Sequence, residues 1–245
     1  MTAVILFVLG AIVGSFLNVV GLRFNSGLTY GGRSACATCA RELRWWELIP
    51  ILSFLTLRAR CSGCRTKISW QYPLVELWTG LIFATVPWVF IPSFALFVVI
   101  TIYDLRHKII PDALVFLSIV LALLLRIILG GSLLDWLAGV IIFTFFASVW
   151  FLSHGRAMGF GDAKLSLAIG LLLGGAAGLS AVVVAFWLGA FFGLAMFFSG
   201  RISPLLRGAK NITMKTEIPF APFLVLGAWL SLVFNLDLLH VSLLF

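Results

Sequence analysis

Apolar residues run along this chain in long blocks, broken by short polar stretches. The blocks lie at approximately 2–22, 73–87, 89–104, 112–129, 133–153, 162–175, 177–198 and 219–240. A membrane-crossing helix needs roughly 20 mostly apolar residues, so the pattern predicts eight spans. Pro87 and Pro92 blur the boundary between the second and third. The blocks 89–104 and 162–175 are short for a crossing. Their ends are therefore expected in protein or in a water-filled cavity rather than in lipid. The first block has no basic stretch before it and continues unbroken, which reads as a retained span rather than a cleaved signal. Only one polar segment of any size, 23–72, interrupts the series.

Composition makes the membrane reading firm. With 62% hydrophobic and 11% charged residues and a mean hydropathy of +1.15, an ordinary soluble domain is excluded. Charge then supplies an orientation. Of 17 Lys and Arg, eight fall in 23–72, two in 105–111 (Arg106, Lys108), two around 154–164 (Arg156, Lys164) and four in 199–218. Arg126 stands apart. With eight spans, all four basic stretches share one face, which the positive-inside rule makes cytoplasmic; the N-terminus then starts outside. The expected fold is an all-α polytopic membrane protein of about eight transmembrane helices, with a small cytoplasmic zinc-binding domain inserted after the first. The division is 1–22, a first helix; 23–72, the cysteine domain; and 73–245, a seven-helix membrane domain.

All four cysteines lie in the polar segment, as "CATC" (Cys36, Cys39) and "CSGC" (Cys61, Cys64). Each short loop lets two thiolates reach one ion, and two such pairs complete a tetrahedron, so the expected ligand is structural zinc. Two disulfides are the competing reading, which a reducing cytoplasm disfavours. The segment holds eight basic and two acidic residues, a net +6. Beside a bilayer this reads as attraction to anionic lipid headgroups, with Trp45, Trp46 and Trp70 at the interface. Nucleic acid is not an expected partner, because the module lacks a long basic stripe.

Acids near lipid mark function by default, yet several here have plainer explanations. Asp135 follows Ser132 by three residues, a capping-box spacing. Glu76 and Asp112 stand near helix starts, and Asp237 near the end of the last span. Asp162, between "GFG" and an apolar run, could be an ordinary N-cap. Asp104 ends the run "FALFVVITIYD" at a helix C-terminus, where the macrodipole disfavours an anion. Span order puts Asp104 and Asp162 at one depth near the cytoplasmic face. Two such carboxylates in a low-dielectric site are expected to share a proton. One can serve as general base on a water, the other as general acid. Composition leaves two readings open: an aspartyl protease, or a transporter whose paired acids relay protons or bind cations.

Five motifs occur in order: "GSFLNVVGLR" (Gly14 to Arg23), the two cysteine pairs with "IPILSFLTLRARC" between them, "ISWQYPLVE", "YDLRHKIIPD" and "GFGDAKL". Together they resemble the type IV prepilin peptidase family, over about residues 10–170. The resemblance implies a GxGD-type intramembrane aspartyl peptidase with Asp104 and Asp162 as its catalytic pair. It implies prepilin or pseudopilin substrates, cut on the cytoplasmic side of a bacterial inner membrane. It further implies N-methylation of the new N-terminus with S-adenosylmethionine; a peptidase without that second activity is the variant reading. The sequence departs from the family at "CATC", which lacks the frequent Pro after the first Cys, at Ala59-Arg60 before Cys61, and at Trp46-Glu47-Leu48.

Overall fold

The computed structural model describes residues 1–27, 31–202 and 219–240. The basic residues expected between 203 and 218 lie outside that description. Among the described residues the long elements are all helical, and they divide into two compact units, Met1–Ile102 and Tyr103–Phe245.

The first unit contains α1 (Thr2–Arg23), the short α2 (Leu52–Thr56), α3 (Gln71–Thr85) and most of α4 (Ile91–His107). Its α1 buries Gly10, Ala11, Gly14, Asn18 and Gly21, a stripe at helical spacing, and leaves bulky Val4, Ile5, Val8, Ile12 and Phe16 exposed. Small residues let two helix backbones approach closely where apolar side chains gain nothing by leaving lipid. The stripe packs against α3. In α4 the aromatic residues Phe94 and Phe97 are fully buried and meet edge to face, with ring centres 5.7 Å apart.

The second unit contains the end of α4, α5 (Asp112–Leu129), α6 (Leu133–Leu152), α7 (Phe160–Leu173), α8 (Gly175–Ile202) and α9 (Ala221–Val233). The 14-residue α7 packs against α5, α6, α8 and α9, and none of its residues beyond Phe160 is exposed. Its contact with α6 is backbone to backbone. A Cβ added to Gly170 would lie 2.6 Å from the Cα of Gly139, so neither position accepts a side chain without parting the helices.

Ser132 and Asp135 close the expected capping box at the start of α6: the Ser132 N–H donates to Asp135 Oδ2 (2.9 Å), and the Asp135 N–H to Ser132 Oγ (3.3 Å). Such a cap contributes about 1 kcal/mol. Asp135 does more than cap, since its other oxygen accepts from the N–H of Gly175 at 2.8 Å. Arg126, the cation left over from the charge pattern, is buried and donates to Leu171 O (2.9 Å) and Leu172 O (3.1 Å). Those carbonyls end α7, where a helix has no internal donors left to satisfy them. The guanidinium serves as a C-terminal cap supplied by another helix.

Among the described residues, five helices are long and apolar enough to cross a membrane: Thr2–Arg23, Trp88–His107, Asp112–Leu129, Leu133–Leu152 and Gly175–Met196. The remaining apolar segments form α3, α7 and α9, of 15, 14 and 13 residues. A multi-pass membrane protein is the architecture that follows.

Candidate active site

Asp162 is the third residue of α7, behind Gly159 at the N-cap. It is not the N-cap itself. Its carboxylate turns back towards the N–H of Gly159, which favours its charged form. Gly161 holds the turn against the next helix: a Cβ there would stand 2.9 Å from the Cβ of Ile110. Asp162 is 8% exposed and Asp104 4% exposed.

Asp104 closes the last turn of α4, where its own helix offers no stabilisation. A stabilising group comes from elsewhere: the backbone N–H of Ala221, first residue of α9, faces its carboxylate. Both acids thus sit at helix N-termini, Asp162 on its own helix and Asp104 on another. Partial positive charge there favours an anion. The two carboxylates are close enough for the charge of Asp104 to act on Asp162. Asp104 Oδ2 is buried with no hydrogen-bond partner. A buried acceptor left empty is costly, and a shared proton or a bound water would satisfy it.

The nearest motif cation is diverted. Lys164 Nζ lies 2.6 Å from Asp112 Oδ1, and over the rings of Phe160 and Phe116 at 5.2 and 5.6 Å. Among the described residues no cation pairs with Asp104 or Asp162.

The polar segment of the first unit builds a second cluster. The sulfurs of Cys36, Cys39, Cys61 and Cys64 all lie within 4.8 Å of one another, an arrangement that can hold a metal ion. The two knuckles repeat one local geometry. The N–H of Cys36 bonds to Arg41 O and that of Cys61 to Thr66 O, each at 2.9 Å; Ala40 and Arg65, four residues after the leading cysteines, both take positive φ (55° and 61°). Hydrogen bonds with Thr66 pull the Cys64 thiol down to about 6 and the N–H groups of Cys39 and Thr38 lower that of Cys36, whereas Cys39, despite the N–H of Arg41, is pushed up to about 11 by neighbouring Cys36. Thiolates are the form that binds metal.

Glu47 ties the knuckles together. It accepts from Arg41 Nη2 (2.6 Å), from the Arg44 N–H (2.8 Å) and from the Ser62 hydroxyl. Burial alone would push its carboxyl up; the Arg44 N–H, Ser62 and Arg41 outweigh that and hold it below the ordinary value. Nothing in the local sequence marks Glu47 as a buried hub, because its partners are spread from Arg41 to Ser62.

Comparison with known proteins addresses both units. Residues 8–90 match a family model described as the bacterial peptidase A24 N-terminal domain, and residues 89–194 one described as the type IV leader peptidase family. A relative from Bacillus subtilis is 32% identical over 245 residues, covering 94% of each chain. The chain belongs to the type IV leader peptidase family. The Bacillus protein is named prepilin leader peptidase/N-methyltransferase, as are relatives from Myxococcus xanthus (37% identical; 85% of this chain, 68% of the relative) and Pseudomonas aeruginosa (31%; 93% and 88%). No solved structure matches. In this leader peptidase family member, both family matches fall on the segments that carry the two clusters.

Proposed function

We propose that this chain is an intramembrane aspartyl endopeptidase that removes the basic leader from type IV prepilins or pseudopilins at the cytoplasmic membrane face. It then N-methylates the new N-terminal residue. Family membership supports this reading, and one observation carries the chemistry: two buried aspartates within electrostatic reach, each on a helix N-terminus, with no cation among the described residues paired to either. One carboxylate, ionised, takes a proton from water as that water attacks the scissile carbonyl. The other, protonated, gives its proton to the departing amine.

Co-expression with a prepilin, scored by size shift, tests it. Asp104→Asn and Asp162→Asn should each abolish cleavage while the protein still inserts and accumulates. Full processing by either variant would refute the assignment. The relatives' names and the family match give no support to a transporter.

The resident metal of the cysteine cluster is zinc in this reading. Tetrahedral zinc with sulfur ligands at ~2.3 Å places the sulfurs ~3.8 Å apart, and Cys36 Sγ lies 3.8 Å from Cys64 Sγ. Elemental analysis of reduced protein should find about one zinc per chain; a metal-free, folded protein would overturn it.

A further inference from the structure

Within the first unit, the cysteine loop, α1 and α3 enclose a cavity of about 430 Å³, a size typical of small-molecule sites, roughly 300–1,000 Å³. Its lining is not that of a lipid crevice. Glu76, Arg23 and Lys67 line it together with aromatic Tyr72 and Phe54.

Glu76 is the unusual member. It is 7% exposed, and its partners are neutral donors: the N–H of Ile51 (2.8 Å) and the side chain of Ser15. Among the described residues no cation pairs with it. A buried carboxylate without a counter-charge is costly and is stabilised either by a proton or by a cationic group from outside the chain.

The donor to Glu76 is itself strained. Ile51 has φ 63° and ψ −51°, and the Leu52 N–H reaches back to Pro50 O at 2.6 Å. This is a γ-turn of the rare, strained hand, and a β-branched residue is poorly suited to positive φ. Strain of this kind persists where surrounding structure enforces it, and it clusters at ligand sites. Here it aims one N–H at one carboxylate.

We propose that this cavity is the S-adenosylmethionine site, with Glu76 facing a positive charge of the ligand. The proposal rests on the methyl-transfer half of the functional reading. When bound, S-adenosylmethionine supplies a methyl group that leaves its sulfonium sulfur for the acceptor amine, the sulfur becoming a neutral thioether and the amine losing a proton. The lining fits such a molecule. Glu76 answers a cationic centre, Arg23 and Lys67 answer a carboxylate, and Tyr72 and Phe54 offer apolar surface to a purine.

Binding of radiolabelled S-adenosylmethionine to the full-length, zinc-loaded protein in detergent tests the proposal directly. The wild type should bind. Glu76→Gln should weaken binding on the order of tenfold or more, by loss of a charge, while zinc content and prepilin cleavage stay at wild-type levels. Retained cleavage shows that the variant is folded, and it separates this result from any failure of the aspartate assignment. Wild-type affinity in Glu76→Gln, or no binding by the wild type, would overturn the proposal. Ultraviolet crosslinking of the bound ligand to the wild type adds a second measurement. Label should map to residues 15–23, 34–48 or 53–76, which line the cavity; label confined to other peptides would overturn the site.

Discussion

Gly161 stands where a methyl group has no room. Its added Cβ would meet Ile110 Cβ at 2.9 Å, whereas one on Gly159 would meet Asp162 Oδ2 at 3.5 Å, an ordinary contact. The two glycines of "GFGD" therefore do different work. Gly161→Ala should push the first turn of α7 away from Ile110 and carry Asp162 with it. A displacement of about 1 Å can cost on the order of 100-fold in rate. Gly159→Ala should cost far less. Time courses of prepilin cleavage compare the two, and equal losses would refute the packing argument. At this scale the sequence was informative about identity and silent about partners. Asp104 stood out because its own helix end repels an anion; that the N–H of Ala221 receives it follows from the path of the chain, which no local pattern reveals. Arg126 was unreadable for the same reason, since the carbonyls it caps belong to α7.

Among the elements, α5 and α6 coincide almost residue for residue with their apolar blocks, because punctuation surrounds them: Pro111 before, Gly130 after, and the Ser132–Asp135 box next. Where punctuation is weaker the boundaries move. The block expected at 177–198 belongs to a helix running Gly175–Ile202, since only Gly174, with φ 85°, separates it from α7. The α3 helix starts at Gln71, ahead of Pro73, a residue that the first turn of a helix tolerates. The γ-turn at Ile51 has no sequence signal at all: "IPIL" reads as a plain apolar stretch, and the acceptor of the Ile51 N–H, Glu76, lies in another helix.

For the whole molecule, the division at Ile102 gives the cysteine cluster and the proposed cofactor cavity to one unit and both aspartates to the other. Charge counting assigns each loop a side of the membrane. An alkaline phosphatase reporter inserted at Gly130–Gly131 should be active, as an external loop requires, and one at Gly155 inactive. The reverse result would invert the proposed orientation. The burial of α7 has its own consequence for traffic through the enzyme. Its seam with α6 is closed by glycine against glycine, and past Phe160 it shows no exposed residue. A guest helix thus finds no berth along its length. Under the proposed assignment of Asp162, substrate is received at the opening turn, and the bond to be cut is expected to arrive as an uncoiled stretch at the tip of its helix.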